Sequence, residues 1–250
     1  MNLNHTVTGP EGAPALVLSN SLGTTLEMWA PQIDALTKHY RVVRYDTRGH
    51  GGSFVPSGPY TVDDLGRDVV SLLDALQIER AHFCGISMGG LTGQWLGRYA
   101  SERIDKLIVA DTAARIGTLD GWRERAALVR AQGMADVASG AAGRWFTAGF
   151  VVRQPDVVQR LTDQLRATPA EGYASCCDAL SSADLRDEIG RITAPTLVIA
   201  GRHDPVTTVD DAQFIAERVP GARVTTLDAS HLSNVEAAEA FNAAVLAFLS

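Results

Sequence analysis

Gly85-Ile86-Ser87-Met88-Gly89 joins a predicted strand to a predicted helix. An apolar run over residues 81–86 indicates the strand, and the stretch that begins at Met88 indicates the helix. A Gly-x-Ser-x-Gly pattern in this setting is typical of a nucleophile elbow, a sharp turn that holds a serine hydroxyl clear of the sheet. Side chains at the two glycine positions would collide with neighbouring backbone. Ser87 is therefore the candidate nucleophile, and the alternative is a serine in an ordinary glycine-rich turn.

Two backbone amides near Ser87 are expected to form an oxyanion hole, the pair of N–H donors that stabilises the negative oxygen of an acyl-transfer intermediate. One amide belongs to Met88, at the start of the predicted helix. The other is expected in Ser19-Asn20-Ser21-Leu22-Gly23, the loop after an early predicted strand, where Leu22 is the candidate. Each such donor stabilises the transition state by about 3–4 kcal/mol.

His231 is the candidate base for Ser87. It follows the last predicted strand and precedes the last predicted helix, so it lies at the same carboxyl edge of the sheet as Ser87. His50, in a glycine-rich loop at that edge, is the main alternative, and His203 is a weaker one because it adjoins the candidate acid. The usual chain order for a nucleophile elbow, serine then acid then histidine, favours His231.

Asp204 is the candidate acid that orients the imidazole of His231. It follows a predicted strand and reaches the same edge of the sheet. Asp111, at the end of the preceding predicted strand, is the alternative, and a strand-end aspartate can also be only a turn or cap residue. Asp228 is closer in sequence to His231, but so short a separation gives poor geometry for reaching the ring.

Apolar runs alternate with helical periodicity along most of the chain. This alternation predicts an α/β fold with a mostly parallel sheet covered by helices on both faces. Besides residues 81–86, the predicted strands are residues 15–19, 40–45, 107–110, 195–200 and 223–227. The further predicted helices of this part are residues 27–37, 61–76, 208–218 and 234–249.

Residues 113–189 interrupt the alternation. They contain no convincing strand, and helical segments are predicted at residues 119–131, 134–146, 155–167 and 170–180. A block of helices inserted between two strands predicts a cap above the carboxyl ends of the strands, where open α/β sheets bind ligands. The predicted domains are a core of residues 1–112 and 190–250, and a helical cap segment of residues 113–189.

Length, charge and cysteine content limit the class of protein. A chain of 250 residues buries roughly three quarters of the surface that it exposes when unfolded, so it needs no disulfides. Its three cysteines, an odd number, favour a reducing compartment. Residues 1–5 lack a signal-peptide pattern, and no apolar run is long enough for a transmembrane helix. We therefore expect a cytoplasmic protein with no membrane partner, and the net charge of -7 disfavours nucleic acid as a partner.

Asp46-Thr47-Arg48-Gly49-His50-Gly51 is a second glycine-rich loop. The predicted strand before it delivers this loop to the same edge of the sheet as Ser87. Asp46 and Arg48 could belong to a functional site, but a structural turn with a local ion pair is the interpretation that we favour.

Together these motifs resemble the α/β-hydrolase superfamily over the whole chain apart from the cap segment. Within it, the chain most resembles the 3-oxoadipate enol-lactonases of aromatic catabolism, in the β-ketoadipate pathway. The likeness rests on Ser19-Asn20-Ser21-Leu22-Gly23-Thr24-Thr25, Met28-Trp29, Tyr45-Asp46-Thr47-Arg48-Gly49-His50-Gly51, Gly85-Ile86-Ser87-Met88-Gly89-Gly90 and Arg144-Trp145-Phe146. The resemblance implies a serine hydrolase without cofactor or metal. Its partner would be a small anionic lactone, a five-membered enol-lactone bearing a carboxylate, which is opened to 3-oxoadipate.

The carboxylate of such a substrate needs a positive partner in a partly dry pocket, and arginine can hold it with two hydrogen bonds. The candidates in the cap segment are Arg115, Arg123, Arg125, Arg130, Arg144, Arg153, Arg160, Arg166 and Arg186. We select Arg144 because it adjoins Trp145 and Phe146, which could wall a pocket. The alternative for Arg144 is a solvated helix face.

The predicted triad also suits other chemistry. A carboxylesterase, a cofactor-free perhydrolase and a C–C bond hydrolase use the same three side chains on the same fold. Dehalogenases and epoxide hydrolases are disfavoured because their chemistry requires a carboxylate nucleophile where Ser87 stands. A non-catalytic ligand receptor on this scaffold is a further alternative, which the complete set of Ser87, Asp204 and His231 disfavours.

Overall fold

One seven-stranded sheet runs through the centre of the protein, which a computed structural model describes over residues 3–250. Its strands are β1 His5–Thr8, β2 Ala15–Ser19, β3 Arg41–Tyr45, β4 Ala81–Ile86, β5 Ile104–Ala110, β6 Thr196–Gly201 and β7 Arg223–Leu227. Their order across the sheet is β1-β3-β2-β4-β5-β6-β7. β1 pairs antiparallel with β3, and all other neighbours are parallel. The predicted α/β fold with a mostly parallel sheet is therefore confirmed.

Residues 3–250 contain twelve α-helices. Those before β5 or after β6 are α1 Ala30–Leu36, α2 Val62–Ala75, α3 Met88–Tyr99, α10 Val209–Arg218, α11 Ser233–Glu236 and α12 Ala238–Leu249. Those between β5 and β6 are α4 Leu119–Gln132, α5 Ala135–Ser139, α6 Ala141–Trp145, α7 Ala148–Arg153, α8 Pro155–Ala167 and α9 Ala170–Ser182. In this second group α4 packs along α9. Over the described range, every helix is too short or too polar to span a bilayer.

The structure differs from the sequence prediction where a pattern is short or interrupted. β1 was not predicted because it is an edge strand of four residues, none of them fully buried. The predicted helix 134–146 is two short helices that meet at Gly140, and α7 follows as a third helix that was not predicted. The predicted helix 234–249 is divided at Ala237.

The middle strands are buried on both faces, which explains their continuous apolar runs. Every residue of β2 and β6 is buried. α3 lies very close to the sheet, because a Cβ at Gly93 would be 2.9 Å from Phe83 and 3.1 Å from Leu107. The absence of a side chain at Gly93 therefore lets α3 pack closely against β4 and β5.

The carboxyl ends of β4, β5, β6 and β7 meet at one edge of the sheet. Ser87 follows β4, Asp111 follows β5, Asp204 lies in the loop after β6, and His231 lies in the loop after β7. Because parallel neighbours end at the same level, side chains from distant parts of the chain meet there.

Candidate active site

Ser87 lies on the sharp turn between β4 and α3, with φ 57° and ψ -116°. Non-glycine residues avoid such backbone angles, which cost about 1–3 kcal/mol and concentrate at functional sites. A Cβ at Gly85 would lie 2.1 Å from the carbonyl oxygen of Gly89, and a Cβ at Gly89 would lie 2.3 Å from that of Ser19. Close backbone contacts therefore require both glycines of the elbow.

Ser87, His231 and Asp204 form a hydrogen-bonded row. Ser87 Oγ lies 3.0 Å from His231 Nε2, and His231 Nδ1 lies 2.7 Å from Asp204 Oδ2. All three residues are buried. When Nδ1 carries the proton donated to Asp204, Nε2 is free to accept the proton of Ser87. The structure thus brings together the three residues that the sequence predicts for catalysis, in the order that nucleophilic attack requires.

The carboxylate of Asp204 is fixed by its own loop. Besides its contact with His231, Oδ1 accepts the backbone N–H groups of Val206 at 2.7 Å and Thr207 at 3.1 Å. Oδ2 also accepts the hydroxyl of Thr207 at 2.8 Å. Both oxygens therefore have defined partners, which hold the carboxylate, and with it the imidazole, in one orientation.

Asp111, the alternative acid, makes different contacts. Its Oδ1 accepts the N–H of Gly201 at 2.7 Å, and its Oδ2 accepts the hydroxyl of Ser233 at 2.6 Å. Burial raises the pKa of Asp111 to about 7, and the nearby charge of Asp204 adds to the effect. Asp111 therefore ties the acid loop to the residues just after His231.

His203 and Asp228 lie outside the buried row. His203 Nε2 lies 2.8 Å from Asp228 Oδ1, and the two side chains are 49 % and 86 % exposed. They pair with each other at the surface. Neither His203 as base nor Asp228 as acid is therefore supported.

The second glycine-rich loop contacts residues 20–26, the oxyanion loop that carries Leu22. His50 is completely buried, and its Nε2 accepts the N–H of Gly23 at 3.0 Å. Its ring nitrogens are thus not paired with the nucleophile. The ion pair of this loop runs from Arg48 Nε to Asp68 Oδ2 of α2 at 2.6 Å, so the expected local pairing with Asp46 is wrong.

The amides of Leu22 and Met88 are available to a ligand. Within residues 3–250, neither of these N–H groups has an acceptor in the protein. Leu22 lines the same cavity as the nucleophile. Asn20 fixes the start of this loop, because its carbonyl accepts the N–H of Gly89 at 3.1 Å and its side chain donates to the carbonyl of Tyr45 at 2.8 Å. The arrangement suits the predicted oxyanion hole.

A cavity of about 370 Å³ opens at Ser87. It is lined by Ser21, Leu22, Ser87, Gly117, Thr118, Gly121, Trp122, Arg125, Arg144, Trp145, Leu165, Tyr173, Pro205, Val206 and His231. The lining comes from the strand-end loops on one side and from the cap segment on the other. It includes two arginines and no carboxylate, so the cavity favours an anionic ligand. A separate groove of about 570 Å³ has none of the triad residues in its lining.

Arg144 and Arg125 both line this cavity. Arg144 is half-buried, and its Nη2 donates to the carbonyl of Val137 at 2.8 Å. Burial lowers the pKa of Arg144, and the positive charge of Arg125 lowers it further. The guanidinium of Arg125 lies 5.2 Å from the centre of the Trp122 ring. Among the ion pairs of residues 3–250, neither arginine has a carboxylate partner.

Sequence reasoning identified only part of this wall. Trp145 lines the cavity, but Phe146 does not, because it stacks on Phe150 with ring centres 4.8 Å apart. Arg125 was one of the candidate arginines but was not selected, and Trp122 was not identified. The available signal was their spacing of three residues within a predicted helix, which places them on one face of it.

Other cap arginines make surface ion pairs. Arg130 pairs with Glu171 at 3.0 Å and with Asp178 at 2.7 Å. Arg166 pairs with Asp163 of the same helix. Arg130 and Arg166 thus already have carboxylate partners, and neither residue lines the cavity.

The loop that carries the candidate base is tied to the cap segment on both sides. After the histidine, the N–H of Leu232 donates to the carbonyl of Trp145 at 3.0 Å. Before it, the N–H of Ser230 donates to the carboxylate of Glu236 at 2.9 Å, and that carboxylate also accepts the N–H of Thr147 at 3.2 Å. The position of His231 therefore depends on the turn between α6 and α7 as well as on the sheet.

Metal-ligand clusters and cysteine thiols are the other groups that could carry chemistry in the described residues. Residues 3–250 contain no group of three or more His, Cys, Asp or Glu side chains that could hold a metal ion. Cys84, Cys176 and Cys177 are free and buried, and burial raises the pKa of the Cys84 and Cys176 thiols. These thiols are therefore protonated and shielded from reagents.

Residues 14–238 match the alpha/beta hydrolase fold family. The chain belongs to this family. It is 54% identical to 3-oxoadipate enol-lactonase 2 of Acinetobacter baylyi, over 99% of this chain and 92% of the relative. It is 50% identical to 3-oxoadipate enol-lactonase 1 of the same organism, over 94% of this chain and 88% of the relative.

A solved structure gives the same result. The enol-lactonase from Burkholderia xenovorans LB400 superposes with a TM-score of 0.97 and is 49% identical, covering 99% of this chain and 96% of that one. The family that the sequence motifs predict, and their likeness to enol-lactonases, are thus confirmed.

Proposed function

We propose that the protein is a serine hydrolase that opens 3-oxoadipate enol-lactone to 3-oxoadipate through an acyl-enzyme. The observation that carries the proposal is that Arg125 and Arg144, both without carboxylate partners, line the same cavity as Ser87 and His231. A small ester that carries a carboxylate matches this combination of nucleophile and positive charge. The names of two relatives, 54% and 50% identical to this chain, support the choice of substrate.

The two ends of the substrate are assigned to opposite walls of the cavity. Its carboxylate lies at Arg144, with Arg125 adding positive charge, and its lactone carbonyl lies over Ser87. Charge-assisted hydrogen bonds of this kind contribute about 1.5–3 kcal/mol each in a half-buried site. The rings of Trp122 and Trp145 exclude water from the space between the walls, which strengthens the pairing.

Acylation begins when His231 Nε2 removes the proton of Ser87 Oγ as that oxygen attacks the lactone carbonyl carbon. The amides of Leu22 and Met88 donate to the oxygen that becomes negative. Asp204 stabilises the imidazolium that forms. Collapse of the intermediate breaks the bond between the acyl carbon and the ring oxygen and releases an enolate, which stays attached through the acyl chain.

Deacylation uses the same groups. The enolate takes the proton of the His231 imidazolium on carbon and becomes the ketone, which prevents the ring from closing again and leaves Nε2 free to accept a proton. His231 then removes a proton from water as the water attacks the acyl-enzyme, and it returns that proton to Ser87 Oγ when 3-oxoadipate leaves. Every proton transfer uses a group of the protein, so the scheme needs no metal or cofactor.

Two further assignments belong to this proposal. Residues 1–112 and 190–250 act as the core that carries the triad, and residues 113–189 act as the cap that selects the substrate. The mixed lining of the cavity supports this division. A cytoplasmic location is supported by three free, buried cysteines, which suit a reducing compartment.

A substrate comparison tests the proposed function. The purified protein is assayed on 3-oxoadipate enol-lactone and on p-nitrophenyl acetate, which has no carboxylate. We expect kcat/KM for the lactone to be roughly 100-fold higher or more, because only the lactone uses the arginines. The Ser87→Ala variant should lose about 10⁴-fold or more in kcat on both substrates.

The control is Ser71→Ala, an exposed serine of α2, which should keep wild-type rates. Lactone hydrolysis by Ser87→Ala at a near-wild-type rate would overturn the serine mechanism. A preference for the neutral ester would overturn the lactone assignment alone.

A further inference from the structure

Two backbone N–H groups of the oxyanion loop, residues 20–26, donate hydrogen bonds to side chains of the second glycine-rich loop. The N–H of Leu26 donates to Asp46 Oδ1 at 2.7 Å, and the N–H of Gly23 donates to His50 Nε2 at 3.0 Å. The Gly23 contact is the nearer of the two to Leu22, whose amide is the oxyanion donor of the proposed mechanism. Gly23 has φ +81°, so the chain turns sharply at this contact.

The two ring nitrogens of His50 have different partners. Nδ1 lies 3.2 Å from the carbonyl oxygen of Arg48, which can only accept, so Nδ1 carries the ring proton. Nε2 is then an acceptor, as its contact with the N–H of Gly23 requires. The ring is completely buried, and this burial lowers the pKa of His50, which keeps the imidazole neutral.

The surroundings of His50 allow little movement. Gly49 lies against Gly172 of α9, where a Cβ on Gly49 would be 2.6 Å from the Cα of Gly172. The titratable groups that face the ring are Asp46 from its own loop and Tyr173 from α9, whose ring centre is 6.4 Å away. Burial raises the pKa of Tyr173, so this phenol is neutral. The imidazole is thus a fixed acceptor for the N–H of Gly23 in the oxyanion loop.

We propose that His50 is a positioning residue for the oxyanion hole: its neutral Nε2 takes the amide of Gly23 and so leaves the adjacent amide of Leu22 aimed at the reacting carbonyl. The proposal rests on acyl transfer at Ser87, as in the proposed function, but not on the identity of the acyl group. His50 touches neither substrate nor Ser87, and it acts only through the backbone of residues 22–23.

Two polar variants separate the hydrogen bond to Gly23 from the loss of the imidazole ring. Gln at position 50 can place its amide oxygen near the site of Nε2 and still accept the N–H of Gly23. Asn at position 50 can replace Nδ1 as a donor to Arg48 but is too short to reach Gly23. Both are polar and smaller than or similar in size to histidine, so they differ chiefly in the contact to the oxyanion loop.

The experiment measures kcat and KM on p-nitrophenyl acetate for wild type, His50→Gln and His50→Asn. We expect His50→Asn to lower kcat roughly 10- to 100-fold, somewhat less than loss of a whole oxyanion donor, with KM within about threefold. His50→Gln should recover most of that loss. Affinity for a phenylboronic acid, which forms a tetrahedral adduct with the serine, should fall in parallel with kcat, whereas affinity for adipate should be unchanged.

The matched controls are His82→Gln and His82→Asn, at a half-buried histidine near the start of β4. They should leave kcat within about twofold of wild type. Equal losses for His50→Gln and His50→Asn, or a drop in kcat without weaker boronate binding, would overturn the role of His50. A wild type inactive on every ester and lactone would instead overturn the proposed function on which it rests.

Discussion

The two walls of the cavity at Ser87 satisfy their polar groups in different ways. On the sheet side, Asp204 has a partner for each carboxylate oxygen, and His231 contacts both Asp204 and Ser87. On the cap side, Arg125 and Arg144 are charged but have no carboxylate partner within residues 3–250. The side chains of Ser87, His231 and Asp204 are thus paired with one another, whereas the two arginines of the cap side lack a counter-charge within the described residues.

This difference separates two requirements of catalysis. Groups that stabilise developing charge must be fixed beforehand, since reorganising them during the reaction would raise the barrier. Groups that recognise the substrate gain most when the substrate itself supplies the missing partner. Substitutions on the sheet side should therefore act on kcat, and those on the cap side on KM.

The largest effect is expected at the acid. Asp204→Asn should lower kcat by about 10⁴-fold, because an amide supports the wrong tautomer of His231. Asp111→Asn should lower kcat less than about tenfold, because Asp111 bonds Gly201 and Ser233 and makes no hydrogen bond to the imidazole. Steady-state kinetics of the two variants on the lactone check this.

An equal loss of kcat in the two variants would break the comparison, because it would give Asp111 the role assigned to Asp204. Asp204→Glu serves as the control for charge alone, since it keeps the carboxylate but displaces it. A partial loss of kcat there would confirm that position as well as charge matters.

Burial of Asp111 next to the triad should also have a measurable cost in stability. The folded-state pKa of Asp111 is raised to about 7, above its ordinary value, so folding takes up a proton between those two pKa values. The resulting stability is complete at low pH and is lost as pH rises through about 7. The free energy of unfolding should fall by about 2–3 kcal/mol between pH 5 and pH 8, and this contribution should be absent in Asp111→Asn.

Urea unfolding of wild type and Asp111→Asn at pH 5 and pH 8 makes the measurement. Asp120→Asn, which removes an exposed carboxylate from α4, is the control and should follow wild type at both pH values. Parallel pH dependence in wild type and Asp111→Asn would show that Asp111 titrates at the same pH in the folded and unfolded chains.

The smallest effect is expected on the cap side. Arg144→Met should raise KM for the lactone about 10- to 30-fold with little change in kcat, because it removes one charge-assisted contact. Kinetics on p-nitrophenyl acetate should be unchanged. Arg125→Met should act in the same direction, and Arg130→Met, at a surface ion pair, should have no effect.

An unchanged KM in Arg144→Met would remove Arg144 from the carboxylate site. If KM rose equally for the neutral ester, the arginine would shape the cavity rather than recognise charge. Either result would end the division of roles between the two walls.

The sheet side was largely predictable from sequence. Ser87, Asp204 and His231 follow three parallel strands, and the carboxyl ends of such strands must meet at one edge. The hydrogen bond from Gly23 to His50 was not predictable, because it joins two loops whose approach is set by packing of β2 against β3 and of Gly49 against Gly172. Sequence showed that His50 was at the correct edge but not which backbone group it contacts.

The cap side was less predictable. Helical periodicity located α4, α8 and α9 closely, but it merged the short helices around Gly140 into one. Which arginine reaches the cavity depends on the rotation of each helix above the sheet. Arg144 was selected from its aromatic neighbours. The spacing of Arg125 from Trp122 predicts that both lie on one face of a helix, but not that this face lines the cavity.

The carbonyl of Trp145 and the carboxylate of Glu236 hold the residues on either side of His231. Residues 145–147 should therefore be kept when the cap segment is redesigned to change the substrate range. A chimera that replaces residues 113–189 without this turn would also remove part of the support of His231, the proposed base. Its loss of rate could then be mistaken for poor recognition of the new substrate.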